Sequence, residues 1–212
     1  MSPRLSRAEQ NDRNRSLLLS AALRVFLTRG YHSPTLEQIA DEAGFSKGAV
    51  YSRFESKADM FLALLTDRIA ARTEQNASAV AELTSSGTVA GLIELAWRTE
   101  RGTPGWRLLV TEFRVVAARD PELNRRYAAA HATTVDAVTG ILSAMVERDG
   151  LSLAVPARRL AELLLAIETG IALEQLATPD AIETRQAGAV VCQLAELLTS
   201  QPATVPQEAR QS

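Results

Sequence analysis

The sequence has few of the residues that build disulfides and metal sites. Among its 212 residues there are one cysteine, Cys192, and two histidines, His32 and His131. A single cysteine cannot form an internal disulfide, and it is typical of proteins kept in a reducing cytoplasm. Two histidines and one cysteine cannot supply the usual His/Cys ligand set of a zinc site. We therefore expect neither a disulfide framework nor a metal site.

Membrane segments and catalytic motifs are also missing. No apolar run approaches the roughly 20 residues of a membrane-spanning helix, and the N-terminal stretch MSPRLSRAEQNDRNR lacks the apolar segment of a signal peptide. No glycine-rich phosphate loop follows a strand, and no nucleophile elbow is present. We expect a soluble cytoplasmic protein without a cofactor, without a membrane partner and without enzymatic activity.

Aromatic residues make up 5% of the chain, whereas 46% of it is hydrophobic, with abundant alanine and leucine. This composition favours packed helices over sheets, and the apolar periodicity is helical nearly throughout. Turn-forming residues separate the later segments, which predict helices over 88–101, 105–119, 121–148, 156–177 and 179–200. The pattern loosens over 76–87, where we expect a break. The polar, proline-interrupted tail 201–212 predicts disorder.

Polar caps follow one another closely in the segment 35–57, TLEQIADEAGFSKGAVYSRFESK. Thr35 and Gln38 form a capping-box pattern, and Gly44 supplies the left-handed residue that ends the helix they begin. Ser46 and Ser56 cap the next two helices. The segment therefore predicts two short helices hinged at a glycine, the second from Lys47 to about Phe54, and a further helix beginning at Lys57. An apolar stripe predicts an earlier helix over 12–29, formed by Leu18, Ala22, Val25 and Phe26.

This arrangement is typical of a helix-turn-helix that binds DNA in the major groove. The helix that enters the groove needs small, polar and basic side chains, and the candidates are Lys47, Gly48, Ala49, Tyr51 and Ser52. Thr35 and Lys57 each lie at a helix start, where a phosphate can bind. Tyr51 and Ser52 can donate their hydroxyls to phosphates, and Ser46, which caps the helix that enters the groove, is a further candidate for DNA binding. Taken singly, Thr35 and Ser46 are more often simple caps, Tyr51 a half-buried surface aromatic and Lys57 a solvated charge. Their ordered combination favours the DNA-binding interpretation.

The net charge of −2 is unevenly distributed. Residues 1–57 have nine Lys/Arg against six Asp/Glu, a net +3, and the rest of the chain has −5. The basic part coincides with the predicted DNA-binding segment, as phosphate contact requires. The difference is small and is also compatible with an ordinary solvated surface.

The N-terminal segment resembles the DNA-binding domain of the tetracycline-repressor (TetR) family. The matching residues are Leu18, Leu19, Ala21, Ala22, Phe26, Gly30, Thr35, Ile39, Ala40, Ala43, Gly44, Ser46, Lys47, Gly48, Tyr51, Phe54, Ser56, Lys57 and Phe61. Phe45 and Ser52-Arg53 depart from the usual pattern, and the latter pair bears on operator sequence. The resemblance implies an all-α protein of nine or ten helices, dimeric, and usually a repressor released from double-stranded operator DNA by a small ligand. We divide the chain into a basic arm (1–11), a DNA-binding domain (12–57), a ligand-binding and dimerisation domain (58–200) and the tail (201–212).

The last two predicted helices are candidates for a homodimer interface. Each has an apolar stripe, and Ala166 and Gly170 would let a partner helix approach closely. The candidate residues are Leu160, Leu163, Leu164, Ile167, Ile171, Val190, Val191, Leu194 and Leu198. Core packing within one chain is about as probable for any one of them. The resemblance to the family favours the interface.

A small-molecule effector would bind among the middle helices, where 106–131 resembles a ligand-domain subgroup of the family. The candidates are Trp97, Trp106, Glu112, Phe113, Tyr127, His131 and Glu168. Core packing is the stronger interpretation for Trp106 and Phe113, and a structural hydrogen bond is the stronger one for His131. The two glutamates need partners on otherwise apolar faces, either an arginine or a cationic ligand.

Two other classes of protein remain as alternatives. An enzyme is disfavoured by the missing motifs, and Cys192 lies in a predicted apolar helix where an inert thiol is expected. A helical ligand-binding or scaffolding protein that does not contact DNA is disfavoured by the intact run 46–57. The sequence does not identify the effector, the operator or the direction of regulation.

Overall fold

The computed structural model describes residues 6–75, 77–86, 88, 91, 105–150, 152–178, 189–191, 193–194 and 199–200. The fold is all-α, as predicted. The helices with defined bounds are α1 (Arg7–Arg29), α2 (Leu36–Ala43), α3 (Lys47–Tyr51), α4 (Lys57–Gln75), α5 (Ala77–Ser86), α6 (Trp106–Ala117), α7 (Pro121–Asp149) and α8 (Ala157–Ala177). Two short strands, β1 (Ser152–Leu153) and β2 (Thr199–Ser200), pair antiparallel.

The caps of the N-terminal helices lie where the sequence predicts them. Thr35 Oγ1 accepts a hydrogen bond from the backbone amide of Gln38 at 3.3 Å, and Gln38 Oε1 accepts one from the amide of Thr35 at 3.2 Å. The hydroxyl oxygens of Ser46 and Ser56 each accept a hydrogen bond from the backbone amide three residues later, at 3.3 and 3.0 Å. Gly44, at φ +71°, ends α2 in the left-handed region. The helix-turn-helix is therefore bounded by local side-chain chemistry.

Helix α1 begins at Arg7, five residues earlier than the apolar stripe predicts. Ser6 and Glu9 form a capping box, in which Glu9 Oε2 accepts the Ser6 amide at 2.7 Å and Ser6 Oγ accepts the Glu9 amide at 3.2 Å. Residues 7–11, which the sequence analysis assigned to the arm, are therefore helical. Residues 1–5 of that arm lie outside the described residues.

Three other predictions differ from the structure, the first being α3, which ends at Tyr51 instead of about Phe54. Helix α5 occupies the segment where we expected a break. The predicted helix 179–200 does not extend to its end, because Thr199 and Ser200 form β2, although 189–191 and 193–194 are helical. The predicted helix over 88–101 and the tail 201–212 fall almost entirely outside the described residues. Helices α6, α7 and α8 agree with their predictions to within two residues at each end.

The chain forms two compact units, Met1–Gln75 with Thr103–Thr133, and Asn76–Gly102 with Thr134–Ser212. This division differs from the predicted boundary after residue 57, because α4 and α6 belong to the same unit as the helix-turn-helix. Phe61 of α4 and Phe113 of α6 are fully buried, and their rings stack with centroids 4.3 Å apart. They share one core with Leu18 and Ile39, so the N-terminal helices depend on α6 for part of their packing.

The second unit has a smaller core of its own. Leu142 and Met145 of α7 pack with Leu160 of α8 and Val191, and all four are buried. The guanidinium of Arg148 donates to the carbonyls of Leu83 and Thr84 at 3.0 and 3.2 Å. A cation at the last carbonyls of a helix stabilises that end, so Arg148 fixes the end of α5.

Among the described helices, α7 alone is long and apolar enough to cross a membrane by length and composition, and 17% of its most apolar stretch is buried. Leu123 and Tyr127 belong to the core of the first unit, and Val135 and Leu142 to that of the second. One helix of this kind is weak evidence for a membrane span.

Candidate nucleic-acid interface

The start of α2 and one side of α3 form a surface that we call the α2–α3 face. Glu37 and Ala49 of this face are half-buried, and its exposed residues are Thr35, Ser46, Lys47, Gly48, Tyr51 and Ser52. Behind it, Val50 and Phe54 are buried in one core with Leu18, Phe26 and Ile39. This burial holds α3 against α1 and α2. The candidates for DNA contact and the buried residues that hold α3 therefore lie on opposite sides of the helix.

Thr35 and Ser46 are exposed, and their hydroxyl oxygens accept the cap hydrogen bonds. A hydroxyl that accepts such a bond still has its own proton to donate. Both residues are thus caps, and the hydroxyl of each can donate to a phosphate oxygen, in the case of Thr35 by exchanging its hydrogen bond to Glu37. The structural and the DNA-binding interpretations are compatible at these positions.

Gly48 is exposed, and a Cβ built at this position would meet no heavy atom of the described residues within 4 Å. Packing inside the protein therefore gives no reason for a glycine there. Lys47 beside it is exposed, and Ala49 is half-buried. The backbone of α3 is bare at its first turn, so a flat or convex surface can approach it closely.

Tyr51 is 49% exposed, and its hydroxyl donates a hydrogen bond of 2.6 Å to Glu37 Oε1. This bond is the largest cause that lowers the pKa of Glu37 to about 2, and the hydroxyl of Thr35 and the charge of Lys47 act in the same direction. The carboxylate in turn raises the pKa of Tyr51. Glu37 was not predicted from the sequence, because no local motif connects it to a tyrosine 14 residues later.

Lys57 has partners inside the protein. Its Nζ donates to the carbonyl of His32 at 2.7 Å and lies 4.8 Å from the ring centroid of Tyr31. Burial lowers the pKa of Lys57. The residue therefore joins the start of α4 to the turn after α1. Its ammonium can still donate further hydrogen bonds to a phosphate.

Two side chains at the end of α3 donate hydrogen bonds within the protein. Ser52 Oγ donates to the carbonyl of Ala49 at 3.0 Å, so the hydroxyl proton proposed for a phosphate is used internally. Arg53 donates to the same carbonyl at 2.9 Å and to Asn11 Oδ1. The sequence analysis missed this link, which ties α3 to the first turns of α1.

The candidate ligand residues divide between the two units. Trp106, Glu112, Phe113, Tyr127 and His131 belong to the first unit and Glu168 to the second, and Trp97 lies outside the described residues. Aromatic contacts connect the first set: Trp106 stacks on Phe61 with centroids 6.0 Å apart, and Tyr127 stacks on His131, also at 6.0 Å.

Two members of that set have a structural role. Phe113 is fully buried, its ring 5.1 Å from that of Tyr31. Glu112 Oε2 accepts the backbone amide of Tyr31 at 2.6 Å. The partner expected for Glu112 is thus a backbone amide, and neither an arginine nor a cationic ligand is needed to explain the carboxylate.

The candidate dimer residues also divide. Leu160 and Val191 are buried, and Leu164, Ile167 and Ile171 pack against the same core. Leu163, Val190 and Leu194 are 43%, 54% and 46% exposed, and Leu198 lies outside the described residues. Ala166 and Gly170 are exposed as well. The outward residues are the ones available to a second chain.

Comparison with known proteins agrees with this geometry. The family model described as "Bacterial regulatory proteins, tetR family" matches residues 18–64, and the one described as "BetI-type transcriptional repressor, C-terminal" matches residues 87–200. The HTH-type transcriptional activator FasR of Mycolicibacterium smegmatis is 48% identical over 54 residues, which are 26% of this chain and 25% of FasR. The HTH-type transcriptional repressor BepR of Brucella suis is 42% identical over 62 residues, 29% of each protein. The chain thus matches between a quarter and a third of the length of these two curated relatives.

The structural likeness extends further along the chain. The crystal structure of a TetR transcription regulator from Haloarcula marismortui has a TM-score of 0.73 at 19% identity, covering 89% of this chain and 100% of that one. At this identity the likeness establishes the fold. One family model matches the helix-turn-helix, and the other covers more than half of the sequence. The chain belongs to the TetR family of helix-turn-helix, DNA-binding transcription regulators.

Proposed function

We propose that this ligand-responsive regulator binds a palindromic DNA operator as a homodimer, represses transcription there, and leaves the operator when a small-molecule effector binds. The observation that carries the proposal is the bare first turn of α3, where the exposed Gly48 meets nothing and Lys47 stands beside it. A helix that enters the major groove needs such a surface, because bulky side chains would keep its backbone away from the bases.

The base contacts are assigned to Lys47 and Ala49 and to the backbone at Gly48. Lys47 can donate to a guanine edge, and the methyl group of Ala49 can pack against a thymine methyl. Thr35, Ser46, Tyr51 and Lys57 are assigned to phosphates, and Tyr51 can donate its single hydroxyl proton there only when its bond to Glu37 breaks. Ser52 joins them by exchanging its bond to Ala49 for one to a phosphate.

A homodimer is required because one recognition helix covers a few base pairs. Two helices related by a two-fold axis bind half-sites spaced by a helical turn of roughly 34 Å, or a multiple of it. The exposed Leu163, Ala166 and Gly170 of α8 support a partner helix at this surface, and Val190 and Leu194 extend it. Leu160 and Val191 are buried in the core, so we no longer assign them to the interface.

Release by the effector is a population shift carried by α4. Within the first unit, Asp67 of α4 accepts two hydrogen bonds from Arg15 of α1, at 2.6 and 3.0 Å, and Asp59 accepts one from Arg126 of α7. A ligand that moves α4 must therefore move or break these pairs. A coupling of about 1–3 kcal/mol corresponds to roughly a 5–150-fold change in DNA affinity. We keep Trp106, Tyr127 and His131 as proposed ligand contacts.

Repression is favoured over activation by the C-terminal family model, whose description names a transcriptional repressor. The helix-turn-helix relatives include both an activator and a repressor, so the N-terminal match does not favour either direction of regulation. We place the protein in the cytoplasm, where operator DNA is accessible and where a single cysteine stays reduced.

The test is selection of bound fragments from a genomic library, followed by fluorescence anisotropy on the selected duplex at salt between about 50 and 200 mM. Affinity should fall by a factor of roughly 10³ or more over this range if several phosphates are contacted. Lys57→Ala should weaken binding to every duplex, whereas Lys47→Ala should change which bases are preferred. A wild-type protein that binds the selected duplex no better than a shuffled one would refute the proposal.

A further inference from the structure

We infer that Glu37 is a built-in competitor of DNA phosphate: it holds the hydroxyl of Tyr51 in the free protein and thereby lowers the affinity for any duplex. The inference rests on the proposed function of the α2–α3 face. It assigns to Glu37 a role in setting overall affinity, with no part in base recognition.

The geometry of the pair is the first argument. The Tyr51 hydroxyl donates to Glu37 Oε1 at 2.6 Å, and a phenol has one proton to donate. A phosphate oxygen has no proton and can only accept. Contact between Tyr51 and a phosphate therefore requires that the bond to Glu37 be broken, so that one charged acceptor replaces another.

The surroundings of the carboxylate are the second argument. The hydroxyl of Thr35 and the charge of Lys47 also act on Glu37. Three residues assigned to DNA thus stabilise one carboxylate while the protein is free. A phosphate that approaches the same donors comes close to this negative charge, and the two anions repel each other.

The third argument is the packing: among the residues that the structure describes, Glu37 is not part of the buried core. Its carboxylate lies at the surface, away from the core formed by Leu36, Ile39 and Ala40 on the same helix. Gln38 completes the capping box of α2, and Glu37 has no part in it. Replacing the carboxylate should therefore leave the helix in place.

The test uses Glu37→Gln in the full chain, which keeps the size and one acceptor oxygen and removes the charge. The probes are a labelled random-sequence duplex of about 30 base pairs and the duplex selected from the genome. We expect Glu37→Gln to bind both duplexes about fivefold more tightly at about 50 mM salt. This factor corresponds to about 1 kcal/mol, the energy by which two unit charges about 4 Å apart repel each other in water. The gain should shrink at higher salt. Base preference should be unchanged, because phosphate contacts carry no sequence information.

Glu42→Gln is the matched control. Glu42 is on the same helix and its substitution changes the net charge equally, but it lies 3.8 Å from Arg24 in an exposed pair. Its effect on affinity should be clearly smaller. A second arm compares Tyr51→Phe in both backgrounds: the loss of the hydroxyl should weaken binding more in the Glu37→Gln protein, where no carboxylate competes for it.

The outcomes separate the inference from the proposed function. If the wild type binds the selected duplex and Glu37→Gln binds equally or more weakly, the competitor role is refuted. Weaker binding would mean that Glu37 positions Tyr51 instead. A changed base preference would also overturn it, in favour of a direct base contact. If no variant binds any duplex, both ideas fail. The pair itself is checked without DNA, because Glu37→Gln should lower the pKa of Tyr51 toward its ordinary value in a tyrosine-labelled NMR titration.

Discussion

The carboxylate of Glu112 in α6 accepts a 2.6 Å hydrogen bond from the backbone amide of Tyr31, in the turn after α1. Gly30 precedes that amide at φ +72°, and a Cβ built there would lie 3.0 Å from Glu112 Oε2. Tyr31 is itself 4% exposed, and the centroid of its ring lies 5.1 Å from that of Phe113 in α6. Helix α6 is therefore joined to the DNA-binding helices by a hydrogen bond and by an aromatic contact at the same turn.

Removing the Glu112 carboxylate should destabilise the first unit. In Glu112→Ala the buried amide of Tyr31 loses its acceptor, which costs roughly 1–3 kcal/mol of the free energy of unfolding. Glu112→Gln keeps an acceptor oxygen and should lose less. Urea denaturation of the two variants measures the difference. Equal losses would mean that the hydrogen bond contributes little and that the side chain acts through packing.

Two glycines allow stability and DNA binding to be separated. Gly48→Ala should keep or slightly raise the free energy of unfolding, by roughly 0.5–1 kcal/mol, because alanine favours the helix and the methyl group meets nothing. It should nevertheless weaken binding to the selected duplex, since the methyl group lies on the α2–α3 face. Gly30→Ala should instead lower the free energy of unfolding by roughly 1–3 kcal/mol, because its backbone conformation is open almost only to glycine.

The check is urea denaturation and fluorescence anisotropy on both variants. If Gly48→Ala bound DNA as well as the wild type, the close approach of α3 to the bases would be wrong.

Ionisation of Tyr31 should make stability fall at high pH. Burial raises the pKa of Tyr31 to about 12, whereas a tyrosine in the unfolded chain ionises near pH 10. The stabilisation is therefore complete below about pH 10 and is lost as the pH rises toward 12, by up to roughly 2–3 kcal/mol. Urea denaturation at several pH values in this window measures the loss.

Tyr31→Phe is the control, because it keeps the ring and has no group to ionise. Its stability should fall less steeply over the same window. Some slope should remain, since burial also raises the pKa of Tyr127. Equal slopes for the variant and the wild type would show that the phenol of Tyr31 is not the group that titrates.

The parts of the fold that were predicted from the sequence are those set by neighbouring residues. A cap and its amide are three residues apart, so Thr35, Ser46 and Ser56 can be identified by inspection. The same signal at Ser6 and Glu9 was available and was passed over, because the apolar stripe begins at Leu18. Helix α5 was not predicted, because Ser85, Ser86 and Gly87 at the end of the segment are turn-forming residues that favour a break.

The contacts that define the site depend on how helices pack, and local patterns do not encode them. Glu37 meets Tyr51 because α2 and α3 cross at a particular angle, and Glu112 meets Tyr31 from 81 residues away. Burial also divides stripes that look uniform in sequence. Leu160 and Leu163 lie in one apolar run of α8, yet one is 1% and the other 43% exposed.

That difference in exposure gives the test of the dimer. Leu163→Arg puts a charge on the outward side of α8, so it should break the proposed homodimer while leaving the second unit folded. Sedimentation velocity should then report a species of 22.9 kDa, with circular dichroism and urea denaturation close to those of the wild type. Affinity for the palindromic duplex should fall, because each half-site would be bound separately.

Two controls separate this result from a general effect of a new arginine. Leu108→Arg, at a side chain that is 41% exposed on α6, should leave the dimer intact. Leu160→Arg buries an unpaired charge in the core and should unfold the second unit instead of producing a folded monomer. If Leu163→Arg sedimented as a dimer with unchanged affinity, the interface would have to lie on another surface of the chain.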